Sequence, residues 1–259
     1  MSDSSDSDID IEYDNFLKDP DEFYKPEPQP TVVEYARPGK EGDIIKLRLV
    51  GSHPLWAHYL WNGGRMAADM IEDGRISIAG KRVFEFGAGA ALPSIVSVLD
   101  GAEYVATTDY PEEILLDDIR INLKNNLPAE AIGKRIEVHG FLWGAKVDDL
   151  LKAGVPAGGE PKKYDVLILA DLLANHTALP DLAKSLGELM DKPNGVAYVA
   201  FGHHRPWLAD RDLKFFEYAT EQGMKCEEIF QKHTTPMFEN DPGSLDVRST
   251  VHVYKITWP

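Results

Sequence analysis

Short apolar runs alternate with amphipathic stretches along most of this 259-residue chain. Residues 164–170 (YDVLILA) form a near-continuous apolar run, which is typical of a central strand buried on both faces. Residues 92–99 (LPSIVSVL) instead place their large apolar side chains at positions i, i+3, i+4 and i+7, which predicts a helix with one apolar face. Because strands that alternate with helices favour a mostly parallel sheet covered on both sides, the pattern predicts an α/β fold.

The remaining elements are predicted in the same way, from the spacing of apolar residues and from the Gly and Pro residues that mark the ends of helices and strands. Further strands are predicted at residues 43–50, 82–86, 104–108, 135–142 and 195–201. Further helices are predicted at residues 65–72, 111–126, 180–191 and 210–222. The last run, residues 247–258, alternates apolar with polar side chains and therefore predicts a strand near a sheet edge.

The most informative stretch is residues 83–109, which begins with a strand and turns sharply at Gly87-Ala88-Gly89. The predicted helix 92–99 follows, and then a second strand that ends in Asp109. A βαβ unit that holds an adenosine-containing cofactor has its parts in this order: strand, Gly-x-Gly turn, helix, strand and acid. The glycines let backbone N–H groups approach the ligand, and an acid about 20 residues further on accepts hydrogen bonds from ribose hydroxyls.

The identity of that cofactor depends on the residues around the turn. A dinucleotide site needs a third small residue where this chain has Leu92, and no Gly-x-x-x-x-Gly-Lys-Ser/Thr loop is present. Both observations favour a cofactor without phosphates, which is S-adenosylmethionine. Glu85, two residues before the turn, is then expected to face its positive sulfonium end. A βαβ crossover without ligand, and a nicotinamide or flavin site, remain as the less favoured alternatives.

Charge and cysteine content restrict the class of protein. Of the net charge of −16, residues 1–30 contribute half, with ten acidic residues against two lysines. We therefore expect residues 1–40 to be an acidic, largely disordered segment, followed by a folded domain at residues 41–259. The acidic segment either keeps the protein well solvated or serves as a docking arm for a basic partner. An acidic surface is a poor match for nucleic acid. A single cysteine, no apolar run long enough for a membrane span and no targeting leader predict a cytoplasmic protein without membrane association.

Several motifs together resemble one enzyme family. In chain order they are GSHPLWAHYLWNGG, VFEFGAGAALPS, TTDYP, INLKNN, FLWG and LILADLLANH. This series is similar to the seven-β-strand S-adenosylmethionine-dependent methyltransferases, and within them to methyltransferase family 16, which mostly modifies lysines in proteins. With GHHRP added, it resembles the fungal branch that methylates the N-terminal α-amino group and adjacent lysine of translation elongation factor 1-alpha. The resemblance covers residue 45 to the C-terminus. It implies a Rossmann-like, mostly parallel seven-stranded sheet with an antiparallel C-terminal strand, and a monomer.

The resemblance also implies a set of cofactor contacts, namely Trp61, Gly87, Ala88, Gly89, Asp109, Trp143 and Ala170. Asp109 would bind the ribose, and the Trp143 indole would cover the adenine from a neighbouring strand end on the same edge of the sheet. Trp61 would border the methionine or ribose end. Either tryptophan could instead be an ordinary core aromatic. Ala170 would contribute backbone atoms only, where many relatives carry serine.

Methyl transfer to an amine is an in-line displacement that needs alignment and a deprotonated nucleophile, but no metal. We expect Asp171, after the central strand, to hold the incoming ammonium, and His176 or a water molecule to take its proton. Asp171 could instead cap a helix, and His176 could be structural. The segment 203–206 (HHRP) is expected to shape the acceptor pocket.

Two acceptors are consistent with this chemistry. The acidic surface favours a lysine-rich protein N-terminus, as the resemblance implies. The alternative is a small-molecule N-methyltransferase for nicotinamide or a related pyridine. Methylation of nucleic-acid bases is disfavoured by the charge and by the absence of an Asp/Asn-Pro-Pro-aromatic motif. A scaffold that binds the cofactor but has lost catalysis is disfavoured by the intact Gly87, Gly89 and Asp109.

Overall fold

The computed structural model describes residues 28–259. Residues 1–27 of the predicted acidic segment 1–40 lie outside the described residues. The strands are β1 (Thr31–Ala36), β2 (Ile44–Leu49), β3 (Arg82–Phe86), β4 (Tyr104–Asp109), β5 (Ile136–Gly140), β6 (Val166–Ala170), β7 (Val196–Gly202), β8 (Lys225–His233) and β9 (Thr250–Thr257). The helices are α1 (Asn62–Glu72), α2 (Leu92–Leu99), α3 (Glu113–Asn126), α4 (Asp148–Lys152), α5 (Leu179–Leu189), α6 (Ala209–Asp212), α7 (Lys214–Glu221) and α8 (Leu245–Ser249).

Seven strands form the central sheet, in the order β5-β4-β3-β6-β7-β9-β8. The pairs from β5 to β7 are parallel, and β9 is antiparallel to both β7 and β8. This confirms the predicted α/β sheet with its antiparallel C-terminal strand. From β3 the chain continues to β4 and β5 on one side and then crosses to β6 on the other. Ligands of open α/β sheets bind in the crevice that such a reversal opens at the carboxyl ends of the strands.

Helices cover both faces of this sheet, because the strand side chains alternate between two apolar layers. Val83 and Val105 face a cluster that includes the apolar faces of α1, α2 and α3. Phe84 and Phe86 face a second cluster formed with α4, α5 and α7. Burial on both sides explains why the central strands read as continuous apolar runs.

The N-terminal end of the described region corrects one predicted boundary. β1 pairs antiparallel with β2 over six residues, and the two form a sheet separate from the central one. The folded part therefore begins before residue 41, inside the segment expected to be largely disordered. The side chains of Asn122 and Asn126 on α3 attach β2, because each exchanges hydrogen bonds with the backbone of Arg48 or Lys46.

Other elements also differ from the sequence prediction, among them α8, which occupies the start of the strand predicted at residues 247–258. β8 was not predicted, and it completes the seven strands of the central sheet in place of β2. Its side chains are mostly exposed at the sheet edge, so its sequence (KCEEIFQKH) lacks an apolar period. The short helix α4 was also not predicted, and the helix predicted at residues 210–222 is divided at Leu213 into α6 and α7. Within residues 28–259, no helix combines the length and apolarity needed to cross a bilayer.

Candidate active site

The turn after β3 contains two glycines with left-handed backbone, which serve different purposes. Gly87 has φ +52° and Gly89 has φ +53°. A Cβ at Gly87 would lie 2.6 Å from Leu172 Cδ2, whereas a Cβ at Gly89 would meet no atom of the described chain within 4 Å. Gly87 therefore permits packing inside the protein. Gly89 keeps open a space in front of the turn, at the carboxyl edge of the sheet.

Asp109 lies at the end of β4 and faces the same turn. The backbone N–H of Gly89 donates to its Oδ2 at 2.7 Å, and the N–H of Tyr110 donates to its Oδ1 at 2.7 Å. Burial raises the pKa of the Asp109 carboxyl above its ordinary value, and the hydrogen bond from Gly89 opposes that shift. Each carboxylate oxygen can accept more than one hydrogen bond, so Asp109 can still receive ribose hydroxyls.

Trp143 follows β5, the strand that pairs with β4. Gly140 is the register partner of Asp109, and the N–H of Phe141 donates to the Asp109 carbonyl at 2.8 Å. Trp143 is partly buried and packs against the cluster that includes Phe141. Because β4 and β5 are parallel, the indole comes from the same carboxyl edge of the sheet as Asp109, one strand further out.

The structure revises the expected role of Glu85. Its carboxyl group is 1% exposed and accepts hydrogen bonds from the backbone N–H of Ser94 at 3.0 Å and from the Ser94 hydroxyl. Burial, with a smaller contribution from the nearby charge of Asp109, raises the pKa of Glu85 to about 8, although the hydrogen bonds from Ser94 oppose this shift. Glu85 therefore anchors the first turn of α2 beneath the glycine turn. The contact with a sulfonium expected from sequence does not agree with this burial.

Asp171 follows Ala170 at the end of β6 and connects three parts of the site. Its Oδ2 accepts a hydrogen bond from the N–H of Gly63 at 2.5 Å, in the first turn of α1. Its Oδ1 accepts from the N–H of Gly202 at 3.0 Å and lies 3.0 Å from Nε2 of His204. The side chain is 1% exposed, and the backbone has the left-handed φ of +55°. The expectation of a free carboxylate that grips an ammonium is corrected, because both oxygens already have partners.

His176 is likewise placed differently from expectation. Its Nε2 lies 2.6 Å from Oδ1 of Asp212, whose Oδ2 lies 2.7 Å from Nδ1 of His203. The carboxylate of Asp212 is buried, so it joins the segments after β6 and β7 through two imidazoles. The structure thus pairs His176 with Asp212 and gives Asp171 the partner His204. Sequence reasoning did not identify Asp212, and it placed His204 only within the HHRP segment.

Trp61 lies at the N-terminal boundary of α1, beside His204. The two ring centroids are 4.7 Å apart, and the indole N–H of Trp61 donates to the carbonyl of Trp56 at 3.1 Å. Trp61 is also absent from both hydrophobic clusters. It therefore stands at the edge of the site near Asp171 and His204, whereas Asp109 and Trp143 lie on the other side of the glycine turn.

Together these residues fit a cofactor that carries adenosine. The space in front of Gly89 admits a ligand, the Asp109 carboxylate can receive ribose hydroxyls, and the Trp143 indole offers an apolar face at the neighbouring strand end. Among the described residues, no three His, Cys, Asp or Glu side chains are grouped so that they could hold an ion.

Comparison with known proteins gives consistent findings at family level. Residues 46–222 match the family model described as lysine methyltransferase. The chain is 43% identical over 257 residues to the protein N-terminal and lysine N-methyltransferase of Schizosaccharomyces pombe, an alignment that covers 98% of each chain. It is 35% identical over 262 residues to the protein of the same name from Kluyveromyces lactis, covering 94% of this chain and 96% of that one.

Solved structures agree on the fold. A proposed RNA methyltransferase from Pyrococcus horikoshii superposes with a TM-score of 0.54 at 18% identity, covering 82% of this chain and 92% of that chain. A proposed methyltransferase solved in complex with SAH (S-adenosylhomocysteine) also has a TM-score of 0.54, at 13% identity, covering 89% of this chain and 57% of that chain. At these identities the likeness concerns the fold alone.

Proposed function

The chain belongs to the lysine methyltransferase family, and from that premise we propose that it methylates the N-terminal α-amino group and adjacent lysine of translation elongation factor 1-alpha, as a monomer in the cytoplasm. The observation that carries the reaction type is the identity of 43% over the whole chain with a protein N-terminal and lysine N-methyltransferase. The acceptor is supported by the motifs LWNGG, TTDYP, ADLLANH and GHHRP, and by an acidic protein that suits a lysine-rich substrate.

S-adenosylmethionine, when bound, supplies an activated methyl group. The residues that would hold it are the backbone of Gly87, Ala88 and Gly89, the carboxylate of Asp109, the indole of Trp143, the backbone of Ala170 and the edge of Trp61. Glu85 contributes indirectly, because it secures α2 below the turn. With the cofactor held in this way, the acceptor amine would reach the methyl group through the crevice between β3 and β6.

The amine must lose its proton before it can attack. A free α-amino group has a pKa of about 8 and a lysine of about 10.4, so the N-terminal amine needs less assistance at neutral pH. We assign the proton acceptor to His204 rather than His176. An ionised Asp171 carboxylate only accepts hydrogen bonds, so Nε2 of His204 carries the hydrogen and Nδ1 is left with a lone pair. Asp171 thus orients the base and, through Gly63, places α1 and Trp61 beside it.

The proposal is tested with purified protein, tritiated S-adenosylmethionine and unmethylated elongation factor 1-alpha. We expect label on both the α-amino group and the adjacent lysine of the amino-terminal peptide, and loss of the α-amino label when the N-terminus is acetylated beforehand. An unlabelled factor, in an assay where a control methyltransferase labels its own substrate, would contradict the proposal. Turnover of nicotinamide without labelling of the factor would favour a small-molecule acceptor instead.

A further inference from the structure

Four aromatic side chains form a group at the acceptor side of the site, here called the aromatic cluster: Trp56, Tyr59, Trp61 and Phe238. Phe238 lies at its centre, with its ring centroid 6.0 Å from that of Trp56, 5.2 Å from that of Tyr59 and 5.9 Å from that of Trp61. Trp56, Tyr59 and Trp61 come from the segment before α1, and Phe238 comes from the loop between β8 and α8. Two distant segments thus meet through these rings.

The aromatic cluster is not part of the core. None of its members belongs to either hydrophobic cluster of the sheet, and Trp56 is 54% exposed. Large aromatic side chains gain most stability when they are fully buried. A group of them held at the surface beside a reaction site is a feature of binding surfaces.

The aromatic cluster is continuous with the proposed proton acceptor. The Trp61 ring packs on His204, and Phe238 lines a small depression together with His204 and Asp241. Arg248 holds this arrangement, because its guanidinium donates to the carbonyl of Phe238 at 2.5 Å. A segment bound on the cluster would therefore extend outward from the amine that reacts at His204.

The charge beside the cluster is negative on the solvent side. Glu239 and Asp241 follow Phe238 in the chain, both are exposed, and no described lysine or arginine forms an ion pair with either. Arg248 is the positive group of the depression, but it is 7% exposed and turned to the backbone of Phe238. Aromatic faces next to unpaired carboxylates are the chemistry that recognises an alkylammonium ion.

We propose that the aromatic cluster, with Glu239 and Asp241, is the docking surface for a lysine-bearing N-terminal segment of the protein substrate. It holds a lysine side chain next to the amine being methylated, with the aliphatic part on the rings and the ammonium at the carboxylates. This inference rests on the proposed function and adds how the acceptor is selected. An open surface suits an extended peptide, whereas a pyridine-sized molecule needs an enclosed pocket.

Binding without catalysis tests this inference. The full chain, saturated with S-adenosylhomocysteine, is titrated by calorimetry with a peptide of the first ten residues of elongation factor 1-alpha and with the same peptide in which glutamine replaces each lysine. We expect the lysine peptide to bind about tenfold more tightly. Asp241→Lys and Trp56→Ala should each remove most of that difference and leave the affinity for S-adenosylhomocysteine unchanged.

Matched variants control for charge and for loss of apolar surface. Glu160→Lys changes the net charge by as much as Asp241→Lys, and Ile114→Ala removes a side chain that is 58% exposed on α3. Both should bind the lysine peptide like the wild type. Equal affinity for the two peptides, or equal losses in the control variants, would overturn the docking surface even if the factor is methylated. Selective binding without methylation would instead support the surface and contradict the proposed acceptor.

Discussion

Gly89→Ala is the substitution that most directly separates a ligand-binding role of the turn from a folding role. Gly87 and Gly89 have nearly the same positive φ, +52° and +53°, so alanine at either position has to adopt the same unfavourable backbone conformation. That strain costs roughly 1–2 kcal/mol for an L-residue. In a chain of this size we expect the melting temperature to fall by about 2–4 °C for each kcal/mol.

The two substitutions differ in what the new methyl group meets. At Gly87 it would lie 2.6 Å from Leu172 Cδ2, and such overpacking adds about 1–3 kcal/mol. At Gly89 it meets no described atom within 4 Å and enters the space left for the cofactor. We therefore expect Gly89→Ala to be the more stable variant but to bind S-adenosylhomocysteine at least about tenfold more weakly, a loss of about 1.4 kcal/mol.

Calorimetric titration with S-adenosylhomocysteine and thermal unfolding followed by circular dichroism measure the two quantities separately. Leu172→Ala in the Gly87→Ala background should recover stability, because it removes the atom that the methyl group contacts. An unchanged dissociation constant for Gly89→Ala, together with the expected fall in melting temperature, would refute the assignment of this turn to the cofactor.

Three further predictions concern titratable groups of the site. Glu85 has a pKa of about 8 in the fold against about 4.5 in an unfolded chain, so the native state binds the extra proton and the free energy of unfolding falls as the pH rises from about 4.5 to 8. Glu85→Gln keeps an acceptor for Ser94 and should remove this fall, so that above pH 8 the free energy of unfolding of the variant exceeds that of the wild type by up to roughly 5 kcal/mol. Urea unfolding at several pH values measures this difference. The same pH dependence in both proteins would contradict the burial argument. Asp109→Asn should weaken S-adenosylhomocysteine binding at least about tenfold, because hydrogen bonds to an ionised acceptor are the stronger ones, and calorimetry would show an unchanged affinity if Asp109 did not contact the ribose. His204→Gln should lower kcat about 100-fold without changing cofactor affinity; a kcat like that of the wild type would remove His204 from the mechanism.

The local structure around the glycine turn could be predicted from sequence because it is encoded locally. β3, the glycine turn and α2 follow one another within residues 82–99, and the apolar period, the turn residues and the helix face all agree there. Because β3 and β4 are neighbouring parallel strands, their carboxyl ends lie side by side, and this places Asp109 next to the turn. The predicted bounds of β3 and α2 coincide with the observed ones.

The acceptor side could not be derived in the same way, because its contacts join distant parts of the chain. Asp171 meets His204 across 33 positions, and His176 meets Asp212 across 36. Two histidines after β7 and one after β6 offer no local signal that says which of them a given carboxylate will bind. β8 was missed for a related reason, since its pairing with β9, rather than its own polar sequence, makes it a strand.

The most direct test of the account is a mass spectrum of the amino-terminal peptide of elongation factor 1-alpha from cells with and without this protein. The account predicts methyl groups on the α-amino nitrogen and the adjacent lysine in wild-type cells, and none at either position in cells that lack the protein. Re-expression of the wild-type chain should restore both modifications, whereas the Gly89→Ala chain at equal abundance should restore far less. Persistence of both modifications in the deleted cells would contradict the account.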